Sequence, residues 1–222
     1  MFTLLGWRVS YFTGKLECYL RLKKIPFQAG GMSGNQLMVK AKKWSGAMVM
    51  PLLQTPDGNY LQDTWDIIRV LESKYPSPSM VPTTPRKRVV SSLIEAWADE
   101  FWIPMAMHYR WSYPESVEDF KKEAGDALIP SFLAPRWIKN IAANKVANIL
   151  IAYLPVVGVR PSQTDQLQEW TRDILSKLDA HFAVHPFLLG ARPSTADCGE
   201  QHCCRPGRSC HRITASYRIC VC

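Results

Sequence analysis

Apolar and polar positions follow the period of a strand in one part of the chain and that of a helix in the next. Residues 49–54 are a short apolar run, Pro56-Asp57-Gly58-Asn59 is typical of a tight turn, and residues 59–61 return as a second short strand. This pattern predicts a β-hairpin. Pro51 lies inside the first run and donates no ladder hydrogen bond, so we expect it at a sheet edge or bulge.

The period changes directly after the hairpin. Trp65, Ile68 and Leu71 recur at spacings of three and four residues, which predicts a helix. Asp63 or Thr64 is its expected N-cap, because a short oxygen-bearing side chain accepts from the first free backbone N–H groups.

The N-terminal segment predicts a strand, a helix and a second strand. Residues 2–9 are mostly apolar, and residues 10–14 form a loop of small, aromatic and hydroxyl side chains. The helix that follows has one shared face, formed by Leu16, Tyr19, Leu20 and Lys23. It ends before Pro26, where residues 26–28 begin the next strand. If the two strands are parallel neighbours, we expect a right-handed crossover.

A proline-rich stretch separates this part from a helical second half. Residues 75–85 contain four prolines, so they predict a domain boundary. Two helices are predicted after it, with Pro104 kinking or ending the first. Their apolar stripes are Val89, Leu93, Trp97 and Phe101 in the first, and Leu167, Trp170, Ile174, Leu178 and Phe182 in the second, over residues 164–182.

Composition and charge exclude several classes of protein. With 222 residues, 47% hydrophobic and 21% charged, the chain can form a packed core. The net charge of +8 comes from scattered short groups, so a nucleic-acid partner is not expected. No basic leader precedes the first apolar run, and residues 146–159 are too short to span a bilayer. We therefore expect a soluble, intracellular protein with no membrane partner.

The end of the chain combines a capping motif with an unusual tail. Ser194-x-x-Asp197 is typical of a capping box and predicts the start of a buried helix. Residues 198–222 then hold six of the seven cysteines and no helical apolar stripe. Three explanations stay open: a displaced reading frame, a metal-binding tail or a disulfide-linked tail. We favour the first, because the cysteines lack the paired spacing of a zinc site.

Two sets of polar residues suggest a binding site. At a helix N-terminus, Asp63 and Thr64 combine a carboxylate, a hydroxyl and free N–H groups, which suit a ligand with both an amine and a carboxylate. A cis bond between Met50 and Pro51 turns the Met50 backbone outward, where an extended peptide can pair with it. Capping and turn formation alone are the alternative explanation for these residues.

The loop before the first helix offers three hydroxyl groups. Ser10, Tyr11 and Thr13 can donate to an anion near a helix N-terminus, where a thiolate has a lowered pKa. The alternative is that they only cap the helix. This loop has no cysteine and the chain has no Cys-x-x-Cys, which argues against dithiol exchange chemistry.

These motifs resemble one family. The Ser10-x-Phe12 loop, the Val49-Met50-Pro51 entry and Asp57-Gly58-x-x-Leu61-x-Asp63-Thr64 before a helix resemble the glutathione-binding domain of the glutathione transferases. The resemblance implies an α/β thioredoxin-like N-terminal domain followed by an all-α helical domain. The predicted divisions are residues 1–75, a linker at 76–85, a helical domain at 86–197 and the atypical tail at 198–222.

The resemblance also implies individual roles. Pro51 is the expected cis proline, Met50 pairs its backbone with the cysteinyl part of glutathione, and Asp63 and Thr64 hold the γ-glutamyl end. Ser10 resembles the catalytic serine of serine-type classes such as tau. Tyr11 and Thr13 remain candidates for the same role. The family typically has Val-Pro and Glu-Ser or Asp-Ser where this chain has Met-Pro and Asp-Thr, both mild departures.

Two further regions complete the hypothesis. Lys40, Lys42 or Lys43 is the expected partner of the glycine carboxylate of glutathione. Residues 105–111 are expected either to line the pocket for an electrophile or to pack between helices. His108 lies among them without a metal-ligand partner at helical spacing, so no metal is expected.

The predicted protein is therefore a cytoplasmic, dimeric detoxification enzyme, a transferase that conjugates the thiol of glutathione, its co-substrate, to an electrophilic small molecule. The alternatives are a non-catalytic binding or interaction module on the same fold, and a truncated inactive product.

Overall fold

The computed structural model describes residues 1–33, 36, 43, 50–129 and 133–200, and two strands closer to the end of the chain. Strands β1 to β4 are Phe2–Leu5, Phe27–Gly30, Leu52–Gln54 and Tyr60–Gln62. Helices α1 to α7 are Tyr11–Leu22, Thr64–Lys74, Pro85–Ser112, Pro114–Leu128, Arg136–Ala152, Thr164–Phe182 and Thr195–Glu200, with a 3₁₀ turn at Pro161–Gln163. Strands β5, Cys210–Arg212, and β6, Arg218–Cys220, pair antiparallel with each other.

The four N-terminal strands form one mixed sheet in the order β2-β1-β3-β4. Strands β1 and β2 are parallel and are joined through α1, while β3 is antiparallel to both β1 and β4. The predicted hairpin is confirmed, and β1 and β2 are parallel neighbours, the arrangement for which a right-handed crossover was expected. The described part of the chain beyond this sheet is helical as far as residue 200, so the predicted fold class is also confirmed.

The first strand is shorter than predicted, and the first helix begins earlier. β1 ends at Leu5 because the chain turns at Gly6, whose Cα faces the side chain of Thr13. A Cβ at Gly6 would lie 2.3 Å from Thr13 Oγ1. The prediction of a loop over residues 10–14 was wrong: Ser10 is the N-cap of α1, and Tyr11 is already helical.

The core of the N-terminal part lies between the sheet and helices α1 and α2. Its most buried apolar side chains come from both layers, namely Phe2, Leu4, Leu16, Tyr19, Leu20, Leu53, Ile67 and Leu71. The predicted helix face of α1 contributes most of its members to this core. Burial of each such side chain contributes about 1.5–3 kcal/mol.

Helix α3 buries a different face from the one its sequence predicted. Val89 and Leu93 are 60% and 64% exposed. The opposite side carries Ser91, which lies 3.4 Å from Thr195 Oγ1, and Glu95, which pairs with the buried Lys15. Polar contacts to α1 and α7 therefore set the rotation of this helix, because a buried lysine must have its counter-charge beside it.

Two further details of the helical half differ from expectation. Helix α3 continues through Pro104 to Ser112, so Pro104 does not end it. Helix α6 has the predicted bounds, but Trp170 is 48% exposed, while Leu167, Thr171 and Leu175 form its buried face. Among the described helices none is both long and apolar enough to cross a bilayer.

The predicted capping motif opens α7. The backbone N–H and the hydroxyl of Ser194 both donate to Oδ2 of Asp197, at 2.7 and 2.8 Å. Every residue from Ser194 to Gly199 is buried, in the space between α1 and α3. The prediction of a buried helix at this position is confirmed.

The proline-rich stretch between α2 and α3 is anchored at its middle. Met80 is 2% exposed, its carbonyl accepts from the Thr195 N–H at 3.1 Å, and its own N–H donates to Glu72 at 3.2 Å. Thr84 caps α3 by accepting from the Lys87 N–H. The predicted domain boundaries at 75 and 85 stay a prediction, as does the origin of the tail, most of which lies outside the described residues.

Candidate functional site

Four of the predicted binding residues line a single cavity. Its volume is about 200 Å³, and its walls are formed by Phe12, Met50, Pro51, Gln62, Asp63 and Thr64. The peptide bond between Met50 and Pro51 is cis, the isomer that the sequence analysis associated with peptide binding. Phe12 and Gln62 were not predicted to line the cavity. Their sequence positions, close to Ser10 and next to Asp63, could have indicated it.

Asp63 forms one wall of this cavity at the start of α2. Its Oδ1 accepts from the N–H groups of Trp65 and Asp66, at 2.8 and 3.4 Å, so it is the N-cap, and Thr64 is the first helical residue. Its φ of 67° lies in the left-handed region, which costs free energy for a residue other than glycine and which Asp tolerates better than most. The side chain is exposed and therefore accessible to a ligand.

Ser10 does not line the cavity itself. It is the N-cap of α1, two residues before Phe12, which does line the cavity. Its Oγ accepts from the Thr13 N–H at 3.3 Å. That bond uses a lone pair and leaves the O–H proton to donate. A hydroxyl at a helix N-terminus favours a bound anion, both through hydrogen bonding and through the helix dipole.

The other two candidate hydroxyls point elsewhere. The hydroxyl of Tyr11 donates to the Ala98 carbonyl at 3.3 Å, and a Cβ at Gly199 would lie 3.1 Å from it. Tyr11 therefore reaches the junction of α3 and α7. Thr13 is 6% exposed, and its Oγ1 is packed against Gly6 with no hydrogen-bond partner in the described structure.

A buried ion-pair cluster lies next to Tyr11. Lys15 Nζ is 2.8 Å from Glu95 Oε1 and 2.6 Å from Asp99 Oδ2, and the Lys15 side chain is fully buried. Burial lowers the pKa of Lys15, but the two carboxylates outweigh it and raise that pKa above its ordinary value. Burial raises the pKa of Asp99, against the opposing effect of Lys15, and the negative charge of Asp63 acts in the same direction as burial.

The residues proposed for an electrophile pocket are largely packed. Met105, His108 and Tyr109 are 1%, 1% and 4% exposed, within the helical core. His108 Nδ1 lies 3.1 Å from Ser112 Oγ, and its Nε2 lies 3.4 Å from Gln168 Nε2. Burial lowers the pKa of His108. For these three residues the structure agrees with packing between helices.

The structure describes only one of the three lysines predicted to bind the glycine carboxylate. Lys40 and Lys42, two of the three candidates for the glycine carboxylate, lie outside the described residues, and Lys43 is exposed. The described ranges hold no group of three or more His, Cys, Asp or Glu side chains that could bind a metal ion.

A larger concavity on the described surface lies away from these residues. It has a volume of about 740 Å³ and is bordered mainly by the proline-rich stretch and by residues 189 and 191–194. None of the six predicted site residues borders it, and its exposed proline and serine walls offer no paired acid and base. The smaller cavity at Met50 and Asp63 is therefore the candidate site.

Comparison with known proteins identifies the class of this fold. The structure is similar to a glutathione S-transferase from Rhodospirillum rubrum F11, with 18% identity, a TM-score of 0.52, and coverage of 91% of this chain and 76% of the other. It is similar to the beta-etherase LigF from Sphingobium sp. strain SYK-6, with 17% identity, a TM-score of 0.59, and coverage of 90% and 81%. A third similar structure is a theta class glutathione S-transferase from Xanthomonas axonopodis pv. citri with glutathione bound, with 17% identity, a TM-score of 0.52, and coverage of 90% and 78%. At these identities the similarity establishes the fold, a thioredoxin-like domain followed by a helical one.

The sequence identifies the N-terminal domain. Residues 4–79 match the family model described as the glutathione S-transferase N-terminal domain, while no curated protein sequence matches the chain. Residues 4–79 therefore form a glutathione S-transferase N-terminal domain, and the described chain as a whole has the fold of the similar structures above.

Proposed function

We propose that this protein is a glutathione transferase that joins the thiol of glutathione to an electrophilic small molecule. The observation that carries the proposal is the shared cavity of Met50, Pro51, Asp63 and Thr64, with the free hydroxyl proton of Ser10 at the adjacent helix N-terminus. A cytoplasmic location and a role in detoxification fit this chemistry, since reduced glutathione is abundant in the cytosol.

The peptide is held by complementary polar groups. The backbone N–H and C=O of Met50 pair with the cysteinyl residue of glutathione as an added strand would. The Asp63 carboxylate receives the γ-glutamyl ammonium group, and the backbone N–H and hydroxyl of Thr64 receive the γ-glutamyl carboxylate at the start of α2. This arrangement directs the cysteinyl sulfur towards the N-terminus of α1.

Ser10 then activates the thiol. Its O–H donates to the sulfur and favours the thiolate, and the thiol proton leaves to solvent. The thiolate attacks the electrophilic carbon, a carbon–sulfur bond forms, and a leaving group departs with the electron pair of the broken bond. Catalysis in this scheme comes from positioning and from stabilising negative charge on sulfur.

Two measurements test this proposal. Thermal unfolding with glutathione at about 100 times its dissociation constant should show a native state stabilised by about 2.7 kcal/mol. Ser10→Ala should lower kcat with an activated aryl chloride on the order of 10²-fold while the thermal shift with glutathione persists. A thermal shift without any turnover would favour the non-catalytic binding module. Absence of a cooperative transition would favour the inactive truncated product.

An exposed apolar surface supports a dimer. Val89, Leu93 and Trp97 on α3 are 60%, 64% and 38% exposed, and Trp65 at the start of α2 is 38% exposed. A second copy of the chain that packs on this surface would cover these side chains. Leu93→Glu should convert a dimer to a monomer in light scattering, whereas Ile149→Glu, at an equally exposed position on α5, should not. A wild-type monomer at micromolar concentration would contradict the dimer.

A further inference from the structure

The residue before Ser10 is held by the helical half through both of its backbone polar groups. The N–H of Val9 donates to Oε1 of Glu123 at 3.1 Å, and its carbonyl accepts from Nη2 of Arg110 at 2.7 Å. Glu123 belongs to α4, and Arg110 belongs to the last turn of α3. The two side chains lie more than 100 positions along the chain from Val9, so its placement depends on how the two halves pack.

The two contacts differ in length. At 2.7 Å the bond from the Arg110 guanidinium lies in the range of charge-assisted hydrogen bonds, which are about twice as strong as neutral ones, while the bond to Glu123 is longer, at 3.1 Å. Arg110 is 8% exposed, and its guanidinium lies 5.4 Å from the ring centre of Phe120. That packing fixes the guanidinium, because an arginine held over an aromatic ring loses little further freedom when it donates.

The position of Ser10 follows from the position of Val9. The Ser10 N–H donates to the Trp7 carbonyl at 3.0 Å, and Val9 itself is 9% exposed. The short segment from Trp7 to Ser10 is therefore held at Val9 by the two side chains from the helical half, at Trp7 by its indole N–H bond to the Met32 carbonyl, and at Ser10 by the capping bonds from Thr13 and Gly14. A shift of Val9 would move the Ser10 hydroxyl, and a displacement of about 1 Å at a reacting centre can cost about 10²-fold in rate.

We propose that Arg110 and Glu123 are positioning residues for thiol activation, which hold the Ser10 hydroxyl where it donates to the glutathione sulfur. The inference rests on the proposed function, since it concerns the same serine. Neither side chain borders the cavity, so neither touches the peptide. Through them the packing of the helical half controls the ionisation of a thiol bound to the other half.

The variants that test this keep the length of the side chain and change only its hydrogen bond to the Val9 backbone. Glu123→Met removes the acceptor of the Val9 N–H, while Glu123→Gln keeps an oxygen acceptor in the same place. Arg110→Lys keeps the charge and loses the planar fork. Glu118→Met is the matched control, because Glu118 is an exposed glutamate on the same helix.

The expected result separates rate from binding. Glu123→Met should lower kcat at least tenfold with the Kd for glutathione, measured by calorimetry, changed less than twofold. It should also shift the pH profile of thiolate formation, followed by ultraviolet absorbance, towards that of free glutathione. Glu123→Gln should restore most of kcat, Arg110→Lys should have an intermediate effect, and Glu118→Met should match the wild type.

A double-variant cycle decides whether the effect passes through Ser10. In the Ser10→Ala background, Glu123→Met should lower kcat no further, because the group that it positions is absent. A full additional loss in that background, or an unchanged thiolate profile in Glu123→Met, overturns the positioning role while the proposed function stands. If Ser10→Ala itself leaves kcat unchanged, the proposed function and this inference fail together. If Glu123→Met does not fold, Arg110→Lys takes its place: a shifted thiolate profile supports the positioning role, and an unchanged one overturns it.

Discussion

Oδ1 of Asp197, a completely buried residue, accepts a hydrogen bond from the backbone N–H of Leu188 at 2.7 Å. The same carboxylate accepts two further bonds from Ser194. One buried side chain thus fixes both the entry of α7 and the turn before it. The contact exists only because the loop at residues 188–194 folds back onto the helix that it precedes.

Asp197→Ala should be strongly destabilising. It leaves three donors unpaired, two of them on Ser194, and a buried donor without its partner costs about 1–3 kcal/mol. We expect a loss of about 3–5 kcal/mol in urea unfolding, since the three losses are not fully additive. Asp173→Ala breaks an exposed pair with Lys177 and should cost less than about 1 kcal/mol. Equal effects of the two variants would contradict this account of Asp197.

His108 should make the fold sensitive to mild acid. Burial lowers its pKa in the folded state, so the unfolded chain takes up a proton at a higher pH than the folded chain does. The free energy of unfolding should therefore fall as the pH drops through about 6.5, the ordinary histidine value, and the loss should end below the folded pKa.

His108→Gln isolates this effect. Glutamine keeps hydrogen-bonding groups near Ser112 and Gln168 but does not titrate, so the decrease in stability between pH 7 and pH 5 should become shallower. The control is His185→Gln, at an exposed position, which should leave the slope unchanged. The measurement is urea unfolding at a series of pH values, and identical slopes for wild type and His108→Gln would contradict the prediction.

Gly6→Ala should disturb the start of α1. The added Cβ would lie 2.3 Å from Thr13 Oγ1 and 2.8 Å from its Cγ2, so one of the two segments must move. Overpacking of this kind typically costs about 1–3 kcal/mol. Gly31→Ala, which meets nothing within 4 Å, should be nearly neutral. Thr13→Ala combined with Gly6→Ala should recover part of the loss, and full additivity of the two changes would show that they do not meet.

Asp63 should separate capping from binding. Asp63→Ala loses the cap of α2 and should reduce stability by about 1 kcal/mol, and it should also abolish the stabilisation by glutathione. Asp63→Asn retains a capping oxygen and tolerates the positive φ, so its intrinsic stability should stay near that of the wild type. The two variants should differ in thermal unfolding without ligand and agree in their loss of the glutathione shift. If Asp63→Asn keeps the full stabilisation by glutathione, the Asp63 carboxylate does not take part in binding it.

Local signals predicted much of this fold from the sequence. Hydrophobic period alone gave the bounds of α6, and turn residues gave the hairpin of β3 and β4. The caps at Asp63 and Asp197 followed from short acidic side chains at helix starts. These features depend on residues within a few positions of one another, which is the range over which sequence patterns act.

Features that depend on distant partners were missed. The outward rotation of Val89 and Leu93 could not be predicted, because it depends on Lys15 pairing with Glu95 from another helix. Apolar periodicity shows that a helix has two unlike faces, but a surface that meets another molecule can be as apolar as a core. The contacts of Val9 with Arg110 and Glu123 were missed for the same reason: nothing near Val9 in the sequence marks either side chain.

The anchoring of Met80 changes what the proline-rich stretch does. Its backbone hydrogen-bonds to Thr195 in α7 and to Glu72 in α2. The stretch therefore links the two halves through these bonds as well as through the chain itself. Proteinase K, which attacks most exposed flexible chain, should therefore cleave residues 76–84 slowly while α7 stays docked. Glutathione need not be present for that protection, since none of these bonds involves the candidate site. Cleavage at residues 76–84 should then appear only after α7 has separated from this stretch. Both halves of the protein should be digested at the same rate.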